Sequence, residues 1–145
     1  MKNKFHGVFS LILIFAAVVV ALIYMLSLSG RLGLMYLAII LIANPIVLYS
    51  YCAKCLCRED ACSHLFPGKL TRLLPERQQK PYTLGDYFWT GVSLIALLGF
   101  PQIWLWQSNS LFIAFWMLLL GGLIEILFLV CPKCKNENCP NCKLT

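Results

Sequence analysis

Leu111-Phe-Ile-Ala-Phe-Trp-Met-Leu-Leu-Leu-Gly-Gly-Leu-Ile-Glu-Ile-Leu-Phe-Leu-Val130 carries one charged side chain, Glu125, and runs straight into Cys131-Pro-Lys-Cys134. A helix rises about 1.5 Å per residue, so roughly 20 apolar residues cross the hydrocarbon layer of a bilayer. The stretch therefore reads as a membrane span that ends in a pair of thiols. Working outward, Gln107-Ser-Asn-Ser110 separates it from the apolar run Tyr87–Trp106. Two more runs without Asp, Glu, Lys or Arg, Phe5–Gly30 and Leu32–Ala53, lie nearer the N-terminus. All four have the length of a span. The fold class expected is all-α: a polytopic membrane protein with four transmembrane helices in two hairpins. The first hairpin covers residues 5–51 and the second residues 87–130. A Cys-rich basic loop, 52–86, joins them, and a four-cysteine tail, 131–145, follows.

Composition supports this division. The 145 residues are 60% hydrophobic and 12% charged, against about 25% charged in an ordinary soluble domain. So little polar surface cannot clothe a water-soluble globule. Lys2 and Lys4 imitate the basic start of a secretory leader. The apolar run behind them exceeds the about 7–15 residues of a leader, and no small-x-small cleavage site follows it. It is expected to persist as the first span.

Charge then sets orientation. Lys2 and Lys4 precede the first span, six bases from Lys54 to Lys80 fill the central loop, and Lys133, Lys135 and Lys143 lie in the tail. Arg31 stands alone at the other end. The positive-inside bias places both termini and the central loop in the cytoplasm of a plasma or inner membrane. The same asymmetry accounts for the net charge of +6. Membrane lipids, through their anionic headgroups, are the partner it implies, and nucleic acid is not needed to explain it.

Orientation decides how the eight cysteines are read. In a reducing compartment clustered thiols point to metal rather than to disulfides. Cys131, Cys134, Cys139 and Cys142 form two Cys-x-x-Cys pairs, a spacing that turns four thiolates toward one tetrahedral ion at about 2.3 Å. Pro132 and Pro140 stiffen each pair. The stretch resembles the paired knuckles of zinc-ribbon modules, with a short spacer of four residues. The loop cluster is less regular. Cys52, Cys55 and Cys62 supply three ligands, and His64 is preferred over Cys57 as the fourth. Cys57 is then a spare thiol whose thiolate Lys54 and Arg58 would favour. Zinc is the leading cofactor and [4Fe-4S] clusters the alternative. Cys52 and Cys55 recur as Cys131 and Cys134 after 79 residues, which suggests an internal repeat.

Polar residues inside the spans form the second constellation. Glu125 lies about 9 Å and Asn44 about 12 Å from the cysteine-bearing end, with Thr90 and Ser93 at similar depth. Polar groups at such depth turn inward and find one another. The expectation is a belt in which Glu125 bonds Asn44, Thr90 or Ser93, serving as interhelical glue or as a proton step. Asp86 reads as the N3 residue of a cap that begins at Thr83 rather than as a catalytic acid. His6 stands at the mouth of the first span.

Ser-His-Asp sets, phosphate-cradling glycine loops and HExxH are absent from the sequence. The function expected is that of a membrane subunit or adaptor, without catalysis of its own. Its zinc sites would organise a surface for a protein partner at the cytoplasmic face. Two alternatives share the same residues: an iron–sulfur redox subunit working with the quinone pool, and a carrier of soft metal ions.

Overall fold

The computed structural model describes residues 2–54, 70 and 82–133. Among them the chain is all-helical, with no strand. The helices are α1 (Lys2–Leu28), α2 (Gly30–Ser50), α3 (Leu84–Gly99), α4 (Gln102–Leu105) and α5 (Asn109–Ile124). A 3-10 turn, Cys52–Lys54, follows α2. A π-helical segment, Glu125–Val130, continues α5 and leads into a second 3-10 turn, Cys131–Lys133.

Four stretches are long and apolar enough to cross a membrane: Phe5–Leu28, Gly30–Lys54, Leu84–Leu105 and Asn109–Val130. Their outer faces are apolar. Phe15, Leu41, Ile95 and Phe128, one on each stretch, are 65–73% exposed. A water-soluble protein would bury such side chains. This is the surface of an integral membrane protein.

The third span differs from the sequence reading in its start and in its continuity. The third span begins at Leu84 rather than at residue 87, because the Thr83–Asp86 cap starts the helix a turn earlier. It is also not one continuous helix. Pro101 has no N–H to offer the Leu97 carbonyl, so the winding stops at Gly99 and resumes as α4. Side chains serve the carbonyls left at the break. Tyr36 donates its hydroxyl to Leu97 O at 3.0 Å, and Gln102 donates Nε2 to Leu98 O at 3.0 Å. Gln102 Oε1 in turn accepts from Trp116 Nε1 on α5 at 3.2 Å.

The helices pack in the order α3–α2–α1–α5. The first hairpin is closed: α1 lies along α2 across a turn at Ser29, where Gly33 comes so near α1 that a Cβ would lie 3.0 Å from Leu26 Cα. The second hairpin is splayed. Its arms pack on α2 and α1 rather than along each other, and α4 bridges them at the far end. Ala17, Ala21 and Met25 of α1, Tyr36 of α2, Leu97 of α3 and Phe115 of α5 form the core.

Lipid is as apolar as leucine, so burial alone does not hold such helices together. Close packing and hydrogen bonds must do so. A close approach between α1 and α5 is at Gly122, where a Cβ would stand 2.9 Å from Ser10 O and 2.8 Å from Ile14 Cγ1. Ser10 is fully buried there. At the neighbouring Gly121 the same atom would meet Leu13 at 3.6 Å, an ordinary contact. Gly122→Ala should therefore force α1 and α5 apart and cost about 1–3 kcal/mol. Gly121→Ala should cost about 0.5 kcal/mol or less. Reversible unfolding of the two variants in detergent micelles measures the contrast.

Candidate functional site

Antiparallel packing brings one end of every span together. His6 of α1 meets Glu125 beyond α5, and Lys54 beyond α2 meets Asp86 of α3. Cys52 and Cys131, the first thiols of the two clusters, therefore emerge at the same end of the bundle. Each opens a 3-10 turn immediately after its span, and each is half-buried.

The Lys54–Asp86 contact is a buried ion pair. Lys54 is 1% exposed and Asp86 5%. The same carboxylate oxygen of Asp86 accepts from the Thr83 backbone N–H at 2.8 Å and from the Thr83 hydroxyl at 2.7 Å. Asp86 is thus the helix cap read from the sequence, with a further partner the sequence reading did not give it. The Lys54 ammonium reaches Asp86 at the end of the bundle; the Cys57 thiol it was expected to favour lies outside the described residues. Tyr51, Tyr82 and Tyr87 follow one another beside this pair, with ring centroids 5.0 and 6.1 Å apart. The Tyr82 hydroxyl donates to Tyr51 O at 3.3 Å, tying the start of the third span to the end of the second.

The second contact joins α1 to the π segment. His6 Nδ1 lies 2.9 Å from Glu125 Oε2, and the two side chains are 32% and 21% exposed. Gly122 makes the meeting possible. It sits one turn before Glu125, Ser10 sits one turn after His6, and the two backbones touch between those turns. Glu125 is also where the α-winding widens, so that the Cys131 N–H bonds Ile126 O five residues back. Such widened turns recur at functional positions in helices.

The intramembrane belt expected from depth is not what forms. Glu125 bonds His6, which the sequence places at the mouth of the first span. Asn44 is exposed, and its Nδ2 donates to Ile40 O of its own helix at 2.8 Å. Ser93 is buried, and the Thr90 hydroxyl is buried with no partner among the described residues. His6 lies one residue inside the start of its span and Glu125 five residues before the end of an antiparallel one, so depth along the chain did not mark them as partners. Lys54 closes its span and Asp86 stands two residues inside the next, both at the same end of the bundle.

Cys55, Cys57, Cys62, His64, Cys134, Cys139 and Cys142 lie outside the described residues. Among the described residues no group of three His, Cys, Asp or Glu side chains gathers as a metal site. No family model matches the chain, and no curated protein or solved structure is detectably similar to it.

Removing one partner from a buried ion pair strands the other charge, at a cost of about 3–5 kcal/mol. Lys54→Met should therefore destabilise the bundle by about that amount. Adding Asp86→Asn should recover most of the loss, because the neutral amide oxygen can still accept from the Thr83 N–H. Unfolding of the single and double variants in micelles tests the coupling.

Proposed function

We propose that this chain is an integral membrane subunit or adaptor whose two cysteine clusters bind zinc on the cytoplasmic side and there shape a surface for a protein partner. The observation that carries the reading is the shared exit of Cys52 and Cys131 from one end of the bundle. A span that ends in a short turn delivers its first thiol at a fixed height above the membrane. Two such spans start both clusters at one end of the bundle, with α1 between them. Thiol-rich segments of this length have no hydrophobic core, so the energy of metal binding would organise them. The tail offers Cys131, Cys134, Cys139 and Cys142. The loop offers Cys52, Cys55, Cys62 and His64, with Cys57 in reserve.

The iron–sulfur alternative draws on a separate observation. His6 and Glu125 form a hydrogen-bonded acid–base pair six residues before Cys131. Such a pair could supply one proton to a quinone that clusters on the thiols reduce with two electrons, the second proton coming from water. The carrier alternative is weaker. It needs Asn44 and Glu125 on one path, whereas Asn44 is exposed on the outside of the bundle and bonded to its own helix.

Anaerobic purification followed by metal analysis and a visible spectrum separates these readings. The expected sample is colourless with about two zinc ions per chain, one for each four-ligand set. A brown sample with iron and acid-labile sulfide would replace the adaptor by the redox subunit. A sample that carries no metal and takes up copper or mercury would replace it by the carrier.

A further inference from the structure

Polar side chains within the four spans are handled in a consistent way, with one exception. Ser10 and Ser93 are buried in the bundle. Gln102 bonds Leu98 O and Trp116, and Glu125 bonds His6. Asn44 alone, of the strongly polar side chains away from the span ends, faces outward. It lies ten residues from Lys54 and fourteen from Gly30, or about 15 and 21 Å from the two ends of its stretch. This is the hydrocarbon interior.

Its bond to Ile40 O uses one of the two amide protons. Among the described residues it makes no other hydrogen bond, which leaves a second proton and the Oδ1 acceptor. Pro45 adds to the deficit, because it supplies no N–H to the Leu41 carbonyl on the same turn. Lipid chains satisfy none of these groups, and each unmet one costs several kcal/mol in hydrocarbon. Something that carries donors and acceptors must cover this face.

The surrounding sequence says what shape that cover has. Leu34, Leu37, Leu41, Asn44 and Leu48 are spaced alternately by three and four residues along α2. Leu34 is 64% exposed and Leu41 65%. This is the seam of a left-handed helix pair, four leucines with one amide among them. We propose that the chain forms a symmetric dimer through the outer face of α2, with Asn44 of one copy hydrogen-bonded to Asn44 of the other.

A second copy fits better than an unrelated helix for two reasons. The amide is both donor and acceptor, so it complements itself across a two-fold axis. Symmetry also puts the two amides at the same depth without further design, whereas a different partner would need its own polar group at that height. The face carries no charge that calls for an opposite one. In water a buried asparagine at such a seam sets register and pairing. In lipid the same pair adds affinity, by an amount worth roughly three- to thirty-fold in association.

The test is energy transfer between full-length copies fused to donor and acceptor fluorescent proteins, reconstituted under reducing conditions and diluted with lipid. The native chain should show transfer that falls with dilution along a monomer–dimer curve. Asn44→Leu should shift that curve by roughly three- to thirty-fold toward monomer, while Asn44→Gln, which keeps the amide, should stay near the native position. Leu34→Ala with Leu41→Ala should also weaken transfer while leaving the Asn44–Ile40 bond intact, which guards against a misfolded Asn44 variant. Ile95→Ala with Met117→Ala, on the outer faces of α3 and α5, should change nothing. A chain that is monomeric at every dilution would overturn the proposal. So would a dimer that tolerates both Asn44→Leu and the double leucine variant.

Discussion

Two acid–base contacts close the same end of this bundle, and the placement of the thiols depends on them. A polar group inside a low-dielectric layer must be served by protein. His6 and Glu125 serve one another across α1 and the π segment. Lys54 and Asp86 do so between the end of the second span and the start of α3. Each contact joins the beginning of one span to the end of another, so antiparallel order is written into the chemistry as well as into the turns. Cys52 lies two residues before Lys54, and Cys131 six residues after Glu125. The anchors that hold the helices in register therefore also fix where both cysteine clusters begin.

The packing order extends this logic. The first hairpin forms the centre and the arms of the second lie on its two sides, each held by one of the two contacts. Pro101 permits the splay by ending α3 early and turning the chain through α4. Tyr36 and Gln102 then satisfy the carbonyls that Pro101 leaves behind, and Trp116 holds Gln102 in place. Gly122 and Ser10 set the spacing of α1 and α5, which in turn sets whether His6 and Glu125 can reach one another.

Much of this was legible in the sequence and some was not, for a physical reason. Span number, the cap at Thr83 and Asp86, and the position of each thiol relative to a span are properties of distance along the chain. Hydropathy and spacing report such distances directly. The direction in which a residue points around its helix is a different coordinate. These spans are apolar on nearly every side, so no periodic pattern marks an inner face. Asn44, Thr90, Ser93 and Glu125 share a depth, and depth alone suggested that they would meet. Rotation about the helix axes sent Asn44 outward and gave Glu125 to His6. The partner of Lys54 was hidden for the same reason. Its sequence neighbours are loop residues, yet the 3-10 turn after α2 returns its side chain to Asp86.

The central claim is that both thiol clusters leave the bundle on one membrane face. The direct test uses sealed vesicles of known sidedness and two variants, each keeping one cluster, treated with a chelator and a membrane-impermeant maleimide. Both variants should react from the cytoplasmic side only, as reduced thiols. Reaction of the two clusters from opposite sides, or native material in which they are locked in disulfides, would contradict the account.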